Sequence, residues 1–295
     1  MNEVVLADSG VLGANEALAR LRIGTTYLWR HHRLPDISRP TRFTELVQHR
    51  KLFDRDPRMP LFSDKVRAKQ LVADLIGAQW ITPTLWHGQT LPVLPEWPVP
   101  FVVKSAHGCN QNAYVRDGSE DWDAIRRRSV GWLSRTYGTW LDEWLYTQIP
   151  RSVLVEPFIG HGGQLPLDYK LYVFGGRVAF VQVHLDRATR HRWILFDRNW
   201  RRVSAASHDD DPPPPTSLVR MIEAAETLGR SFDFVRVDLY EIDAEPRFGE
   251  MTFYPGSGLD RFDPPSLDTV VGAHWLRMRD TRARKAYAAP GRLPA

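Results

Sequence analysis

Residues 168–187, DYKLYVFGGRVAFVQVHLDR, constrain the fold more than any other part of this sequence. Two runs in which apolar and polar side chains alternate are joined by Gly175 and Gly176. Alternation with a period of two is typical of a strand, and paired glycines accept the positive φ angles of a tight turn. The segment therefore predicts an antiparallel hairpin, which a larger sheet and other elements must cover.

Helical patterns dominate the residues that come before this hairpin. Apolar residues recur at helical spacing from Asn15 to Ile76, whereas strand-like runs and helices are interspersed further along the chain. We therefore predict an α+β fold. Its parts are a helical N-terminal region at 1–77, a small subdomain at 78–155, a larger mixed-sheet subdomain at 156–275 and a basic tail at 276–295.

Composition limits the classes of function that fit. The chain has 295 residues, a formal net charge of +4 and one cysteine, Cys109. A single cysteine excludes intrachain disulfides and cysteine-cluster metal sites, while the mild basic bias suits anionic ligands. The N-terminus lacks a basic region followed by an apolar core, and no stretch is long and apolar enough to cross a bilayer. We therefore expect a cytoplasmic protein without a transmembrane segment.

A lysine at the end of an apolar strand is the first candidate for ligand binding. In PFVVKSAHG, Lys104 precedes a loop of small and polar residues that includes His107 and Gly108. An ammonium group beside free backbone N–H groups suits phosphate oxygens, although a strand-end lysine can also simply extend into solvent. The phosphate-binding pattern G-x-x-x-x-G-K-[ST] does not occur in the sequence.

Two carboxylates on neighbouring strand-like runs are the second candidate. Asp238 in VRVDLYEI and Glu250 in RFGEMTFYPGSG are twelve residues apart, with a turn predicted between them at 243–246. A hairpin could set them side by side, where their mutual repulsion favours a bound magnesium ion. Thr252 would share the face of Glu250 and could add an oxygen ligand. Solvated carboxylates remain the alternative for each residue alone.

Three shorter motifs add weaker signals. In VLVEPFIG a strand ends at Glu156, where backbone groups could meet an adenine edge and the carboxylate a ribose hydroxyl. Asp168 and Lys170 would share one face of a strand, and Lys65 would lie in the first turn of a helix. Each of these residues, taken alone, could equally be a surface charge.

In this order the motifs resemble the ATP-grasp superfamily, and DYKLYVFGGRV with FGEMTFYPGSG resembles its TupA-like branch, associated with teichuronopeptide and other polysaccharide assembly. The resemblance spans roughly residues 40–272 and implies two α+β subdomains that clasp ATP. It implies that Lys65 and Lys104 contact ATP phosphates beneath the loop that carries His107 and Gly108. The remaining implied roles are the adenine hinge for Glu156, Pro157, Phe158 and Ile159, the nucleotide pocket for Asp168 and Lys170, and Mg²⁺ ligation for Asp238, Glu250 and Thr252.

The sequence departs from the superfamily pattern in two ways. Thr252 stands where an asparagine is usual, and helices replace the usual Rossmann-like N-terminal domain. A threonine oxygen can still bind a metal ion, so the predicted site persists. The replaced domain often helps to bind the acceptor, and the acceptor is therefore the part of the function that the resemblance defines least.

The resemblance implies an ATP- and Mg²⁺-dependent ligase that forms an acyl phosphate from a carboxylate and passes the acyl group to an amine. Arg236, Arg187 and Lys170 are the predicted catalytic residues, and the substrates would be glycan carboxylates and amino acids. A kinase that phosphorylates a sugar hydroxyl would use the same nucleotide site. A nucleic-acid binder using the basic runs RNWRR and RMRDTRARK is a third possibility, but acidic residues interrupt these runs, so we expect no nucleic-acid partner.

Overall fold

Four helices precede the first strand in the computed structural model, which describes residues 9–162, 164–185, 192–206 and 210–288. These helices are α1 (Ser9–His31), α2 (Phe43–Phe53), α3 (Arg58–Ser63) and α4 (Arg67–Ile76). The chain turns into α4 at Asp64, whose carboxylate accepts hydrogen bonds from the backbone N–H groups of Val66 and Arg67. This capping interaction fixes where α4 begins, next to Lys65.

The smaller sheet is antiparallel, with the strand order β1-β4-β2-β3. Its strands are β1 (Trp86–Gly88), β2 (Phe101–Ser105), β3 (Asn112–Val115) and β4 (Val153–Pro157). Helix α5 (Trp122–Leu133) is capped by Asp121, whose side chain accepts a hydrogen bond from the backbone N–H of Ala124. Ile125 of this helix packs with Phe101 and Val155 in a separate small core. Because β4 runs to Pro157, the predicted subdomain boundary between residues 155 and 156 falls within this strand.

The larger sheet is also antiparallel, with the order β7-β6-β5-β8-β9. Its strands are β5 (Asp168–Phe174), β6 (Arg177–Leu185), β7 (Arg192–Asp197), β8 (Val235–Ile242) and β9 (Glu245–Thr252). The predicted hairpin is confirmed as β5 and β6, joined at Gly175 and Gly176, which have φ angles of 59° and 84°. The alternation that predicted the hairpin also leaves a polar face on this sheet, and that face carries most of the candidate residues.

Helices cover both faces of the larger sheet. Helix α7 (Leu218–Gly229) packs on β5, β6 and β8, on the face opposite Lys170 and Asp238. Helix α8 (Ser266–Ala288) packs with α2 against Phe174 and Phe234, which share the face of Lys170 and Asp238. Phe43 of α2 meets the rings of Phe234 and Trp275 in the buried core. Helix α8 extends through residue 276, so the predicted basic tail would begin within this helix.

A short helix, α6 (Trp144–Thr147), completes the set of α-helices in the described residues. None of the described helices is long and apolar enough to span a membrane.

Candidate functional site

A cleft of about 1160 Å³, part of it open to solvent, lies between the two sheets. Charged side chains from both sides line it, with lysines and carboxylates facing one another across the gap. Most of the residues predicted from the sequence reach this cleft. They are Lys65, Lys104, Gly108, Glu156, Pro157, Phe158, Ile159, Asp168, Lys170, Asp238 and Glu250.

On the small-sheet side, a buried carboxylate holds two lysines. Glu156 on β4 pairs through Oε2 with Lys104 Nζ on β2 at 2.6 Å, and through Oε1 with Lys69 of α4. The register of β2 and β4 explains the contact between Lys104 and Glu156. Glu156 pairs directly with Val102, and Lys104, two residues further along β2, is its diagonal neighbour on the same face. Burial opposes ionisation of Glu156, but the ammonium groups of Lys104 and Lys69 outweigh it and hold its pKa below the ordinary value.

Lys69 is a cleft residue that sequence reasoning missed. It follows Lys65 by four residues and lies in the first turn of α4, whereas Lys65 lies in the turn that precedes this helix. The spacing of the two lysines was the available signal. Besides Glu156, Lys69 Nζ donates to Thr84 Oγ1 at 2.7 Å. Burial lowers its pKa despite the attraction of Glu156. Three lysines, not two, therefore stand on this side of the cleft.

Lys65 connects the two sides of the cleft. Its Nζ donates to the Gly108 carbonyl in the β2–β3 loop at 2.7 Å and lies 3.6 Å from Glu250 Oε2 on β9. Burial favours the neutral amine, but the Glu250 carboxylate outweighs this effect and raises the pKa of Lys65. Lys65 therefore stays protonated between the loop and the larger sheet, where it can exchange these partners for an anion.

The larger sheet contributes a second buried carboxylate with two cations. Asp238 on β8 accepts two hydrogen bonds from Arg236, Nε to Oδ1 and Nη2 to Oδ2, both at 2.7 Å. Lys170 on β5, the cross-strand neighbour of Asp238, donates to Oδ2 at 2.5 Å and lies 2.7 Å from Asp168. Burial would raise the pKa of Asp238, but Arg236 and Lys170 outweigh it and lower this pKa to about 2.

Glu250 lies directly opposite Asp238, in the register that the sequence predicted. Its side chain is one-third exposed and points into the cleft, and Thr252 Oγ1 lies 3.4 Å from its Oε1. Within the described ranges no group of three or more His, Cys, Asp or Glu residues could hold a metal ion alone. Two carboxylates with one hydroxyl nevertheless fit Mg²⁺, because this ion is commonly bound by one or two carboxylates together with substrate phosphates.

The structure does not bring every predicted residue to the cleft surface. His107 is 1% exposed and is not among the lining residues, because its ring bonds to Ser105 Oγ and to the Trp132 carbonyl. It anchors the loop in this structure, and its contact with a ligand stays a prediction. Arg236 and Thr252 lie just behind the lining residues and bond to each other at 3.3 Å. Arg187 lies outside the described residues.

Two aromatic side chains form one end of the cleft. Tyr114 on β3 and Phe158, just after β4, meet edge to face with ring centroids 5.9 Å apart. Both line the cleft beside Pro157 and Ile159. An apolar slot next to exposed backbone groups suits a planar heterocycle, while the lysines further along the cleft suit anionic oxygens.

A turn with a strained backbone follows β9. Ser257 has a φ of 57°, in the left-handed region, and Lys51 of α2 donates to its carbonyl at 2.8 Å and to its hydroxyl at 2.5 Å. Gln48 also donates to this carbonyl. Burial lowers the pKa of Lys51 to about 8, against the attraction of the buried Glu143. The unfavourable backbone conformation is therefore held by specific bonds from α2.

Comparisons with solved structures give low identities and partial overlaps. D-alanine–D-alanine ligase from Bacillus anthracis is 15% identical, with 77% of this chain and 70% of that chain covered and a TM-score of 0.47. L-amino acid ligase from Bacillus licheniformis is 15% identical, with 68% and 43% covered and a TM-score of 0.42. ATP-grasp ligase PsnB, complexed with a minimal precursor, is 12% identical, with 76% and 62% covered and a TM-score of 0.44. No curated protein matches this chain.

Two antiparallel sheets that enclose a cleft of lysines and carboxylates define the ATP-grasp class of α+β proteins. The family model for TupA-like ATP-grasp proteins matches residues 45–276. Because this match covers most of the chain, the protein belongs to the TupA-like ATP-grasp family. The family match begins within α2, so it includes α3 and α4 but not α1.

Proposed function

We propose that this protein is an ATP-dependent ligase that activates a carboxylate as an acyl phosphate and transfers the acyl group to an amine. The observation that carries the proposal is the cleft itself, in which cations and carboxylates converge from two sheets. Lys65, Lys69 and Lys104 stand on one side, and Asp238 and Glu250 on the other. A ligand with several negative charges and an associated cation would satisfy both sides at once.

The nucleotide would lie along the cleft, with its base between Tyr114 and Phe158 and its phosphates near Lys65 and Lys104. Backbone groups at Glu156–Ile159 would bind the base edge. Lys104 is 32% exposed, so its ammonium can turn from Glu156 towards a phosphate. Lys69 keeps Glu156 paired when this happens, because it holds the other carboxylate oxygen.

Asp238, Glu250 and Thr252 would hold Mg²⁺, as their oxygen chemistry permits. A bound magnesium ion neutralises charge that develops on the transferring phosphoryl group. Lys170 and Arg236 occupy the Asp238 oxygens in this structure, so they set the orientation of that carboxylate. Glu250 is the more accessible ligand, since its side chain points into the cleft.

The reaction would have two steps. In the first, a substrate carboxylate oxygen attacks the γ-phosphorus, the bond to the β-phosphate oxygen breaks, and ADP leaves. In the second, an amine attacks the acyl carbon, loses a proton and displaces inorganic phosphate. Arg236, which lies beside Asp238 and Thr252 just behind the cleft lining, stays a prediction for stabilising the oxyanion of the second step. Arg187 stays a prediction for the same role.

The substrates that we propose are uronic acid groups of a cell-surface polysaccharide, joined to an amino acid. Support for this class comes from the family resemblance. The polar face of β5, β8 and β9 is compatible with a hydroxyl-rich substrate, because Asp168, Lys170 and Glu250 line the cleft there.

Product analysis tests the proposal. Purified protein is given ATP and Mg²⁺ with pairs of amino acids and uronic acids, and the products are identified by mass spectrometry. A ligase forms an amide, ADP and free phosphate, whereas a sugar kinase forms a phosphorylated sugar and ADP without free phosphate. The Asp238→Asn protein serves as the inactive control for contaminating ATPases. A phosphorylated sugar as the only product would overturn the ligase assignment in favour of the kinase.

A further inference from the structure

The N-terminal helix α1 exposes an apolar stripe to solvent. Ile23 and Tyr27 are buried against the rest of the protein, so the opposite side of the helix faces outward. That side should be polar in a helix with only one buried face. Instead it presents large apolar side chains, with their exposed fractions in parentheses: Leu18 (51%), Leu21 (62%), Leu28 (44%) and Trp29 (75%).

A second exposed tryptophan extends this stripe. Trp140 is 76% exposed and borders a groove together with Arg22 and Thr26 of α1. An ion pair between Arg22 and Asp142 joins its segment to the helix. Trp29 lies one turn beyond Thr26, so the two tryptophans flank the same stretch of α1. We call Leu18, Leu21, Leu28, Trp29 and Trp140 the α1 ridge.

Two exposed arginines stand at one end of the α1 ridge. Arg30 and Arg261 are both exposed, and neither has a carboxylate partner in the part of the chain that the structure describes. Arg261 is adjacent to the ridge, because it donates to the Arg30 carbonyl and contacts His32. The nearby Glu16 is paired with Arg20. The ridge is therefore apolar, with two unpaired arginines at one end.

This combination points to one kind of partner. Tryptophan concentrates at the boundary between lipid headgroups and hydrocarbon, and arginines near a bilayer surface are attracted to anionic lipids. The ridge is a convex helix side about 16 Å long, from its rise per residue. A bilayer can adapt to a convex ridge, whereas a protein partner must offer a matching groove, and a stable dimer needs about 800 Å² from each copy.

We propose that the α1 ridge docks this protein peripherally on an anionic lipid bilayer. The apolar side chains enter the interfacial region, while Arg30 and Arg261 meet the headgroups. Binding of this kind depends on both apolar area and charge, so it weakens when either is removed. The proposal is independent of the chemistry in the cleft, because none of these residues lines it.

Co-sedimentation with vesicles tests the proposal. The full-length protein is mixed with vesicles of phosphatidylglycerol and phosphatidylcholine in equal parts, or of phosphatidylcholine alone. We expect the partition coefficient to be about tenfold higher for the anionic vesicles and to fall as salt is added. The variant Leu21→Glu/Trp29→Glu should lose at least about tenfold in binding, because two charges replace the side chains that enter the bilayer.

The matched control is Val219→Glu, which places a charge at a 69% exposed apolar position on α7, away from the ridge. It should bind vesicles like the unaltered protein, and circular dichroism should report the same fold for all variants. Failure of the unaltered protein to bind anionic vesicles would overturn the proposal, as would equal binding by Leu21→Glu/Trp29→Glu. A dimer in light scattering that this double variant abolishes would assign the ridge to a second copy and overturn the lipid assignment.

Discussion

The two sides of the cleft use the same motif, a buried carboxylate between two cations, in different ways. Glu156 on the small sheet pairs with lysines from two different elements, and Lys104 keeps 32% of its side chain exposed. Asp238 on the large sheet pairs with Lys170 and Arg236, whose side chains are only 9% exposed. In the first arrangement, a lysine can leave the carboxylate to bind a ligand. In the second, both cations are buried and stay bound to the carboxylate.

The chemistry of the cations explains this difference. Arg236 binds both oxygens of Asp238 with a planar, two-point contact, which fixes the carboxylate. Lys104 and Lys69 each offer a point charge on a flexible chain. We infer that the large sheet supplies a rigid frame for the metal and the reacting groups, and that the small sheet supplies mobile cations for the phosphates.

The largest effect on turnover and stability is expected from a substitution at Asp238, in the rigid frame of the large sheet. Asp238→Asn should lower turnover by about a thousandfold. It should also lower the free energy of unfolding by about 3 kcal/mol, because the buried Arg236 loses its counterion and Lys170 keeps only Asp168. Turnover is measured by ADP release and stability by urea denaturation. Near-normal turnover and stability would contradict the assignment of Asp238 to a rigid frame for the metal and the reacting groups.

Glu250→Gln is the matched variant, because this side chain is one-third exposed and its partner Lys65 is 3.6 Å away. It should lose as much turnover as Asp238→Asn but change stability by no more than about 0.5 kcal/mol. The double variant should be scarcely slower than either single one, since residues that hold one ion act as a unit. Additive losses would separate the two residues into independent roles.

Removing a mobile cation should weaken nucleotide binding without harming the fold. Lys104→Ala should raise the Kd for ATP by about 10- to 100-fold, which corresponds to a charge-assisted bond of roughly 1.5–3 kcal/mol. Lys65→Ala should behave similarly. Calorimetric titration with a non-hydrolysable ATP analogue provides the measurement, with Arg220→Ala on α7 as an exposed control. Unchanged affinity in both lysine variants would remove their assignment to phosphates.

Lowering the pH should reduce the free energy of unfolding, because Asp238 becomes protonated and loses its attraction to Arg236 and Lys170. The pKa of Asp238 is about 2 in the folded protein, whereas the ordinary value is 3.8. The ionised carboxylate therefore stabilises the fold fully above about pH 4, and this stabilisation is lost as the pH falls towards 2. This contribution amounts to about 2 kcal/mol. The stability difference between the unaltered protein and Asp238→Asn should therefore shrink over this range. A difference that stays constant down to pH 2 would mean that Asp238 is not held as a carboxylate.

The smallest effect is expected at Thr252. Thr252→Asn keeps an oxygen ligand, so turnover should stay within about threefold, whereas Thr252→Val removes it and should cost about tenfold. Both rates are compared at saturating and limiting Mg²⁺. If Thr252→Val needs no more Mg²⁺ than the unaltered protein, the hydroxyl does not contact the metal.

Local patterns predicted the large sheet better than the small one. Alternation and two glycines located β5 and β6, and a short turn put Asp238 opposite Glu250, because register follows from a hairpin. The pairing of Lys69 with Glu156 joins residues far apart in sequence, and no local signal contains it. The burial of His107 likewise depends on Trp132, which lies on a helix that covers the small sheet.

The central claim is that an acyl phosphate forms. It can be tested by tracing an oxygen atom from the substrate carboxylate into the released phosphate. A substrate carboxylate labelled with oxygen-18 is incubated with the protein, ATP, Mg²⁺ and the amine, and the released phosphate is analysed by mass spectrometry. Attack of the carboxylate on the γ-phosphorus predicts one labelled oxygen in each phosphate, because the bond to the acyl carbon breaks in the second step. Phosphate without label, accompanied by amide formation, would contradict the account.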